Sequence, residues 1–153
     1  MTYDEKLEEL FIDLPEPSAD KGNVLSAVQS GKFLFVGGVL PFSEGRIQNQ
    51  GRVGVEVRLD NARLAARIAA VYALAVVRRE LKGSLQKIKR VVRVDGFVAC
   101  GADFRDHAKV IDGASELFAQ IFGLNGKHSR SVAGASSLPQ NACVELSVTF
   151  EIK

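Results

Sequence analysis

Arg130-Ser-Val-Ala-Gly-Ala-Ser-Ser-Leu-Pro-Gln-Asn-Ala-Cys-Val-Glu145, near the C-terminus, carries the strongest indication of the fold. A strand-like run ends at its Leu-Pro pair, a short polar turn follows, and a second run over residues 142–152 alternates between apolar and polar side chains. Alternation with a period of two is typical of a strand that buries one face. We therefore predict a C-terminal hairpin whose strands offer an arginine cation and a glutamate carboxylate to one small pocket.

Upstream of this hairpin the sequence predicts two long helices and further strands. The strand-like runs are Val24–Val28, Phe33–Leu40 and Ile88–Cys100. The pair Gly37-Gly38 inside the second run predicts a bulge or a close approach of the backbone to another group. Apolar residues at helical spacing, with Leu64 and Tyr72 on one apolar stripe, predict one helix that begins at Asp60 or Asn61 and ends at Lys82. The same spacing predicts another helix over about residues 105–122. This order indicates an α/β fold of two layers, with a mixed sheet covered on one face by the two long helices.

The N-terminus carries an excess of acidic residues. Residues 1–20 contain seven acids and one base, and Thr2-x-x-Glu5 is a capping box that predicts a short helix over about residues 3–10. We interpret residues 1–20 as an acidic helix-and-loop extension of a single domain spanning residues 1–153, a length that is ordinary for one domain.

The composition narrows the class of protein. Hydrophobic residues make up 46% of the chain and charged residues 25%, which are ordinary values for a globular protein. No apolar run approaches the ~20 residues that cross a bilayer, and the N-terminus lacks the layout of a signal peptide. We therefore expect a cytoplasmic protein with no membrane partner. Cys100 and Cys143, without a CxxC motif, are predicted to be reduced and buried.

A basic segment raises the question of nucleic-acid binding. Residues 63–93 carry nine bases and one acid. Aromatic residues are almost absent among these bases, so we interpret them as a solvated helix face or as a partner for the acidic N-terminus, and we expect no nucleic-acid partner. His107 and His128 are candidate acid/base groups, but their spacing is not that of metal ligands, and no metal site is predicted.

The chain resembles the RidA/YjgF family of imine deaminases, in a longer and divergent branch. Residues 129–146 resemble that family's C-terminal signature of Ala-Arg-Ser, Leu-Pro and Val/Ile-Glu, and Gly37-Gly38-Val39-Leu40-Pro41 stands where the family has Ser-Gly-Gln-Ile/Leu-Pro. The resemblance covers about residues 20–152. It implies a chorismate mutase-like fold (bacillus type), a homotrimer with clefts between subunits, and no cofactor.

The resemblance also implies an activity, the hydrolysis of reactive 2-imino or enamine acids to 2-oxo acids and ammonia. Arg130 would bind the substrate carboxylate, the Val132 carbonyl would orient the attacking water, and Glu145 would assist that water. A planar guanidinium suits this task because it can donate two parallel hydrogen bonds to a carboxylate. The remaining substrate-binding residues that the resemblance implies are Val24, Gly37 and Gly38.

The chain departs from the family pattern at five positions. A tyrosine, a serine, a glutamine, an asparagine and a cysteine of the family are replaced by Val24, Gly37, Val39, Asp112 and Val132, respectively. Two alternatives to a deaminase therefore stay open. One is a trimer that binds small carboxylates such as 2-oxo acids without turnover, and the other, with less support, is an endoribonuclease.

Overall fold

A five-stranded mixed sheet and two long helices form the two layers of the fold, in a computed structural model that describes residues 1–153. In chain order the elements are α1 (Tyr3–Glu9), β1 (Ala27–Ser30), β2 (Phe33–Val39), β3 (Phe42–Ser43), β4 (Arg46–Ile47), α2 (Leu59–Glu80), β5 (Ile88–Ala99), α3 (His107–Phe122), β6 (Ser129–Ala135) and β7 (Val144–Ile152). The predicted two-layer α/β fold is confirmed. No helix is long and apolar enough to cross a membrane.

The strands of the main sheet are ordered β1-β2-β7-β5-β6. β6 pairs in parallel with β5, whereas β7 pairs antiparallel with both β5 and β2. The predicted C-terminal hairpin is therefore wrong, because β5 lies between its two strands. α3 supplies the crossover that a parallel β5–β6 pair requires, and the chain then passes the end of β5 to reach β7.

α2 lies against α3 and the sheet through small residues. Its buried face is rich in alanine, whereas Leu64, which helical spacing placed on the apolar stripe, is half exposed. The two helices approach so closely that a Cβ atom on Gly113 of α3 would lie 2.0 Å from the Arg63 carbonyl oxygen. Because α2 and α3 approach so closely, only small side chains fit between them, and the larger Leu64 side chain lies outside the contact. The helix also begins slightly earlier than predicted, with Arg58 as its N-cap.

The N-terminal segment is fastened across the helical layer. The capping box predicted in α1 is present, and the Asp4 carboxylate accepts hydrogen bonds from Ser84 Oγ (2.7 Å) and from the Leu85 amide (3.2 Å). Further along, the Ser26 amide and hydroxyl both donate to the Asp20 carboxylate. Residues 20–26 thus form a closed loop, which explains why β1 begins at residue 27 rather than at the predicted residue 24.

The sheet face opposite the helices is partly apolar. Between 37% and 49% of each of four large side chains is exposed on strands β1, β2 and β5: Val28, Phe33, Phe35 and Phe97. Contiguous exposed apolar patches often mark the surface through which a protein binds another molecule.

Candidate functional site

Two side chains of α3 hold one terminal nitrogen of the Arg130 guanidinium. Arg130 lies on β6 opposite Val94 of β5, whose side chain is buried in the core. Its Nη1 donates to Asp112 Oδ1 at 2.8 Å and to Ser115 Oγ at 3.1 Å. Nε and Nη2 donate to no protein group, and the side chain is 22% exposed. One edge of the guanidinium is therefore fixed, while the other can still donate two parallel bonds to a carboxylate.

A half-buried imidazole, that of His128, supports Ser115 on the side away from Arg130. The His128 Nδ1 atom lies 2.6 Å from the Gly126 carbonyl oxygen, which can only accept, so Nδ1 carries the proton. Nε2 then accepts the Ser115 hydroxyl hydrogen at 2.9 Å. Desolvation is the main reason why the pKa of His128 lies below its ordinary value, and the positive Arg130 lowers it further. A neutral His128 thus orients the serine that orients Arg130.

Glu145 lies on the other face of the sheet. It stands opposite Phe97 of β5 on the partly apolar open face, whereas Arg130 shares the helix-facing side with Val94. The two residues therefore do not share a pocket within one chain, and their sharing of a pocket stays a prediction for the cleft between subunits. The Glu145 carboxylate accepts no hydrogen bond from the protein, and desolvation raises its pKa. A partly buried carboxylate without a partner is available to a ligand or a water molecule.

The glycine pair in β2 leaves room for this carboxylate. The pairing register with β7 shifts between Gly37 and Val39, as expected from glycines inside a strand. A Cβ atom on Gly38 would lie 2.6 Å from Glu145 Oε2, and one on Gly37 would lie 2.7 Å from Ser147 Oγ. Only glycine at position 38 allows the carboxyl group to take its present place.

A cavity of about 310 Å³ opens beside the glycine pair. Val24, Gly37 and Gly38, which were predicted to bind substrate, all line it. Its other wall is the closed loop near the N-terminus, which contributes the side chain of Asp20. The structure therefore brings together three of the six predicted site residues in one cavity, with Glu145 against Gly38.

Tyr72 is a site residue that the sequence reasoning missed. It lines this cavity and an adjoining one that reaches Gln140, and its hydroxyl oxygen accepts the Ser18 amide hydrogen at 3.0 Å. Helical spacing had assigned Tyr72 to the apolar stripe of α2. The only available signal was a hydroxyl in that stripe, because a partly buried tyrosine usually turns its hydroxyl towards a polar partner.

The predicted site residues, together with the two α3 residues that hold Arg130, thus fall into two groups. The arginine half-site comprises Arg130 and Val132 on β6 with Asp112 and Ser115 on α3. The glycine half-site comprises Val24, Gly37, Gly38 and Glu145. β2 and β6 are three strand spacings apart in the sheet, a separation of about 14 Å.

Comparisons with known proteins agree with this fold along almost the whole chain. Residues 5–151 match the model of a family described as "YjgF/chorismate mutase-like, putative endoribonuclease". Protein TCP17 of Trypanosoma cruzi is 33% identical over 147 residues, which cover 95% of this chain and 91% of the relative.

Two crystal structures superimpose closely on the chain. Protein Atu1372 of Agrobacterium tumefaciens, of unknown function, is 40% identical with a TM-score of 0.90 and coverage of 99% of this chain and 92% of that one. A putative endoribonuclease from Shewanella oneidensis is 28% identical with a TM-score of 0.94 and coverage of 99% and 100%.

Proposed function

The chain belongs to the YjgF/chorismate mutase-like family, and from that premise we propose that it hydrolyses small 2-imino or enamine acids to 2-oxo acids and ammonia. One observation carries the proposal. Arg130 is fixed by Asp112 and Ser115 through Nη1, while its Nε and Nη2 atoms have no protein acceptor. A guanidinium in this state is a preformed receptor for the carboxylate of such a substrate.

Asp112 sets the character of this receptor. Its carboxylate offsets the charge of Arg130 across a 2.8 Å contact. Recognition of the substrate would then depend on the two parallel hydrogen bonds of the free edge more than on net charge. This arrangement favours a planar carboxylate over an arbitrary anion.

The two half-sites would meet between subunits. Since they lie about three strand spacings apart and on opposite faces of the sheet, only a second copy can bring Arg130 of one chain to the glycine half-site of another. A contact between two different surfaces closes into a ring when its rotation permits. We assign the ring three subunits from the family resemblance, and burial of Phe33, Phe35 and Phe97 in it would cover the open sheet face.

Glu145 would then serve as the acid/base group. Water adds to the electrophilic carbon of the protonated imine as Glu145 takes a proton from the water, and the electron pair of the C=N bond moves to the nitrogen to give a carbinolamine. Glu145 then returns the proton to that nitrogen. The C–N bond breaks as the carbinolamine hydroxyl passes its proton to the carboxylate, which releases it to solvent, and ammonia leaves with the 2-oxo acid as the other product. Desolvation raises the pKa of the Glu145 carboxyl group, which makes its carboxylate a stronger base towards water than an exposed one. The Val132 carbonyl would orient the water, as the resemblance implies.

A second candidate is a carboxylate-binding protein without turnover. Val24 and Val39 bring aliphatic side chains to the cavity beside Gly38, at positions where the family has tyrosine and glutamine. Such a lining can hold the hydrocarbon part of a 2-oxo acid while it offers few groups for proton transfer.

The test generates imines from amino acids with an amino-acid oxidase in the presence of semicarbazide, which traps the imine as a semicarbazone. Hydrolysis by the protein is measured as a lower rate of semicarbazone formation and as the release of ammonia. We expect turnover by the wild-type protein and none by Arg130→Ala. Arg63→Ala is the matched control, because Arg63 also pairs with a carboxylate of α3, Glu116, at 2.8 Å and lies in neither half-site.

The outcome separates the two candidates. No turnover of a broad panel of imines by folded, assembled protein would refute the deaminase. An increase in melting temperature with 2-oxo acids under those conditions, lost in Arg130→Ala, would establish the binding protein instead.

A further inference from the structure

A cysteine and a histidine meet at the far end of β6 from Arg130. Cys100 Sγ lies 3.5 Å from His107 Nε2, where β5 has ended and α3 begins. The pair lines a cavity of about 300 Å³, together with Phe104, Arg105 and Gly134. Gly134 is four residues from Arg130 along the strand, about 13 Å, so this thiol pocket is separate from the arginine half-site.

Several contacts fix the pair. The Cys100 amide donates to the Ala135 carbonyl at 2.9 Å, which ties the end of β5 to β6. The Phe104 ring meets the His107 imidazole edge to face, with 5.2 Å between centroids. A Cβ atom at position 134 would lie 2.7 Å from His107 Nε2 and 2.9 Å from Cys100 Sγ. Glycine at this position therefore leaves space for the two side chains to touch.

The pocket presents positive charge. Arg105 uses Nη1 to donate to the Ala102 carbonyl (2.7 Å) and the Phe104 carbonyl (3.0 Å), and its Nε and Nη2 atoms have no protein acceptor. α3 begins at His107, and Asp106 in the N-cap position makes no side-chain capping bond. Arg105 and His107, the first residue of a 16-residue helix with its positive end, thus line the same pocket as the thiol.

We propose that the thiol pocket is a second reactive site, in which Cys100 is a nucleophile that takes small electrophiles bearing a carboxylate. With an unsaturated acid, the sulfur bonds to the β-carbon as His107 takes the thiol proton. The electron pair of the double bond moves to the α-carbon, which then receives that proton. The product is a thioether, and no oxidant is required. A thiol beside a base within hydrogen-bond reach is the usual arrangement for such chemistry.

Cys143 is an internal control for this proposal. Both cysteines are free and buried, with 6% of Cys100 and none of Cys143 exposed, but Cys143 touches no imidazole, and desolvation raises its pKa to about 11. The two thiols therefore differ in that only Cys100 lines the thiol pocket and has a neighbouring base.

The experiment alkylates the folded, full-length protein with iodoacetate and, in parallel, with iodoacetamide, and follows each cysteine by peptide mass spectrometry. We expect Cys100 to react at least about tenfold faster than Cys143 with either reagent, since only Cys100 has a neighbouring base. His107→Asn should slow alkylation of Cys100 by about tenfold or more. Arg105→Gln should slow its reaction with iodoacetate severalfold and leave iodoacetamide unaffected.

The failing outcomes are distinct. Equal rates at the two cysteines, or an unchanged rate at Cys100 in His107→Asn, would overturn the nucleophile. An Arg105→Gln variant that keeps its iodoacetate rate would overturn the carboxylate preference. If His107→Asn does not fold, Gly134→Ala replaces it, because the added methyl group separates the thiol from the imidazole. An unchanged Cys100 rate in a folded Gly134→Ala protein would likewise overturn the proposal.

Discussion

The arginine half-site and the glycine half-site are built in opposite ways. In the arginine half-site Arg130 on β6 donates to Asp112 and Ser115 on α3, and His128, which directly precedes β6, extends this chain of hydrogen bonds by accepting from Ser115. In the glycine half-site Glu145 has no partner, and the walls are a bulged strand and a closed loop. A group that recognises one fixed shape gains from being held in advance, whereas a group that exchanges protons must stay free to meet water and substrate.

The same contrast extends to charge. Asp112 compensates Arg130 within the chain, while no cation compensates Glu145. If the half-sites meet between subunits, a substrate carboxylate accepts hydrogen bonds from the free edge of Arg130, and a water molecule donates a hydrogen bond to Glu145. Each half-site would thus supply what the other lacks, and the following variants test that division of roles.

Glu145→Gln should have the largest effect, a fall in kcat of at least about a hundredfold, because general acid/base catalysis contributes about 10²–10⁴-fold. KM should change little, since the substrate carboxylate is bound in the other half-site. Steady-state rates on oxidase-generated imines measure both constants. Glu151→Gln is the matched control, because Glu151 lies on the same strand and the same face and pairs with Lys89.

The stability of Glu145→Gln gives an independent check. Since the folded pKa of Glu145 is raised, the ionised carboxylate opposes folding above that pKa, and the penalty vanishes as pH falls below the ordinary value of 4.5. The variant should melt at a higher temperature than wild type at pH 8 and at the same temperature near pH 4. A lower melting temperature at pH 8 would mean that Glu145 is paired in the assembled protein.

Arg130→Lys should have the next largest effect, a loss of about tenfold to a hundredfold in kcat/KM, since a charge-assisted hydrogen bond contributes about 1.5–3 kcal/mol. Lysine keeps the positive charge but lacks the planar pair of donors. Titration with a 2-oxo acid should show the same loss in affinity. Binding equal to that of wild type would show that charge, rather than the free edge, recognises the carboxylate.

Much of this architecture is predictable from the sequence because its signals are local. The alternation in residues 144–152 identified β7 and its buried face, and the glycine pair identified the irregularity in β2. Strand order is not local, and the polar turn after Leu138-Pro139 is compatible either with a hairpin or with a passage across β5. The sequence pattern alone does not distinguish the two.

The pairing of Arg130 with Asp112 also lay beyond sequence reasoning. The residues are 18 positions apart on a strand and a helix, and they meet only because α3 packs over the β5–β6 pair. The faces of Arg130 and Glu145 likewise depend on how both strands register against β5. Residue types near strand starts predicted the chemistry of each group, whereas the tertiary arrangement decides which groups meet.

Asp112→Asn should have a smaller effect in the opposite direction. The amide oxygen can still accept from Arg130, but the compensating charge is removed, so 2-oxo acids should bind severalfold more tightly. Calorimetric titration at low and at high salt measures the change, and the gain should shrink as salt screens the uncovered charge. Weaker binding in a folded variant would indicate that the negative charge is needed to hold Arg130 in place.

His128→Gln should have the smallest effect, a loss of stability that is present at pH 8 and fades towards acid pH. Because the folded pKa of His128 lies below its ordinary value of 6.5, the unfolded chain binds the proton more readily than the folded one. The stability from neutral His128 is therefore present above about pH 6.5 and is lost as pH falls through the folded pKa. Protonation would also place a hydrogen on Nε2, which then could no longer accept from Ser115.

Melting curves of wild type and His128→Gln between pH 5 and 8 measure this contribution. The difference in melting temperature between the two proteins should be largest at pH 8 and should narrow towards pH 5. Over the same fall in pH, the affinity for carboxylates should decrease in the wild type but not in His128→Gln. His107→Gln is the control, since His107 lies outside the Arg130 hydrogen-bond chain and should leave the pH dependence of carboxylate affinity unchanged. A melting-temperature difference that stays constant between pH 5 and 8 would show that the protonation state of His128 does not help to position Arg130. The guanidinium would then be held by Asp112 and Ser115 alone.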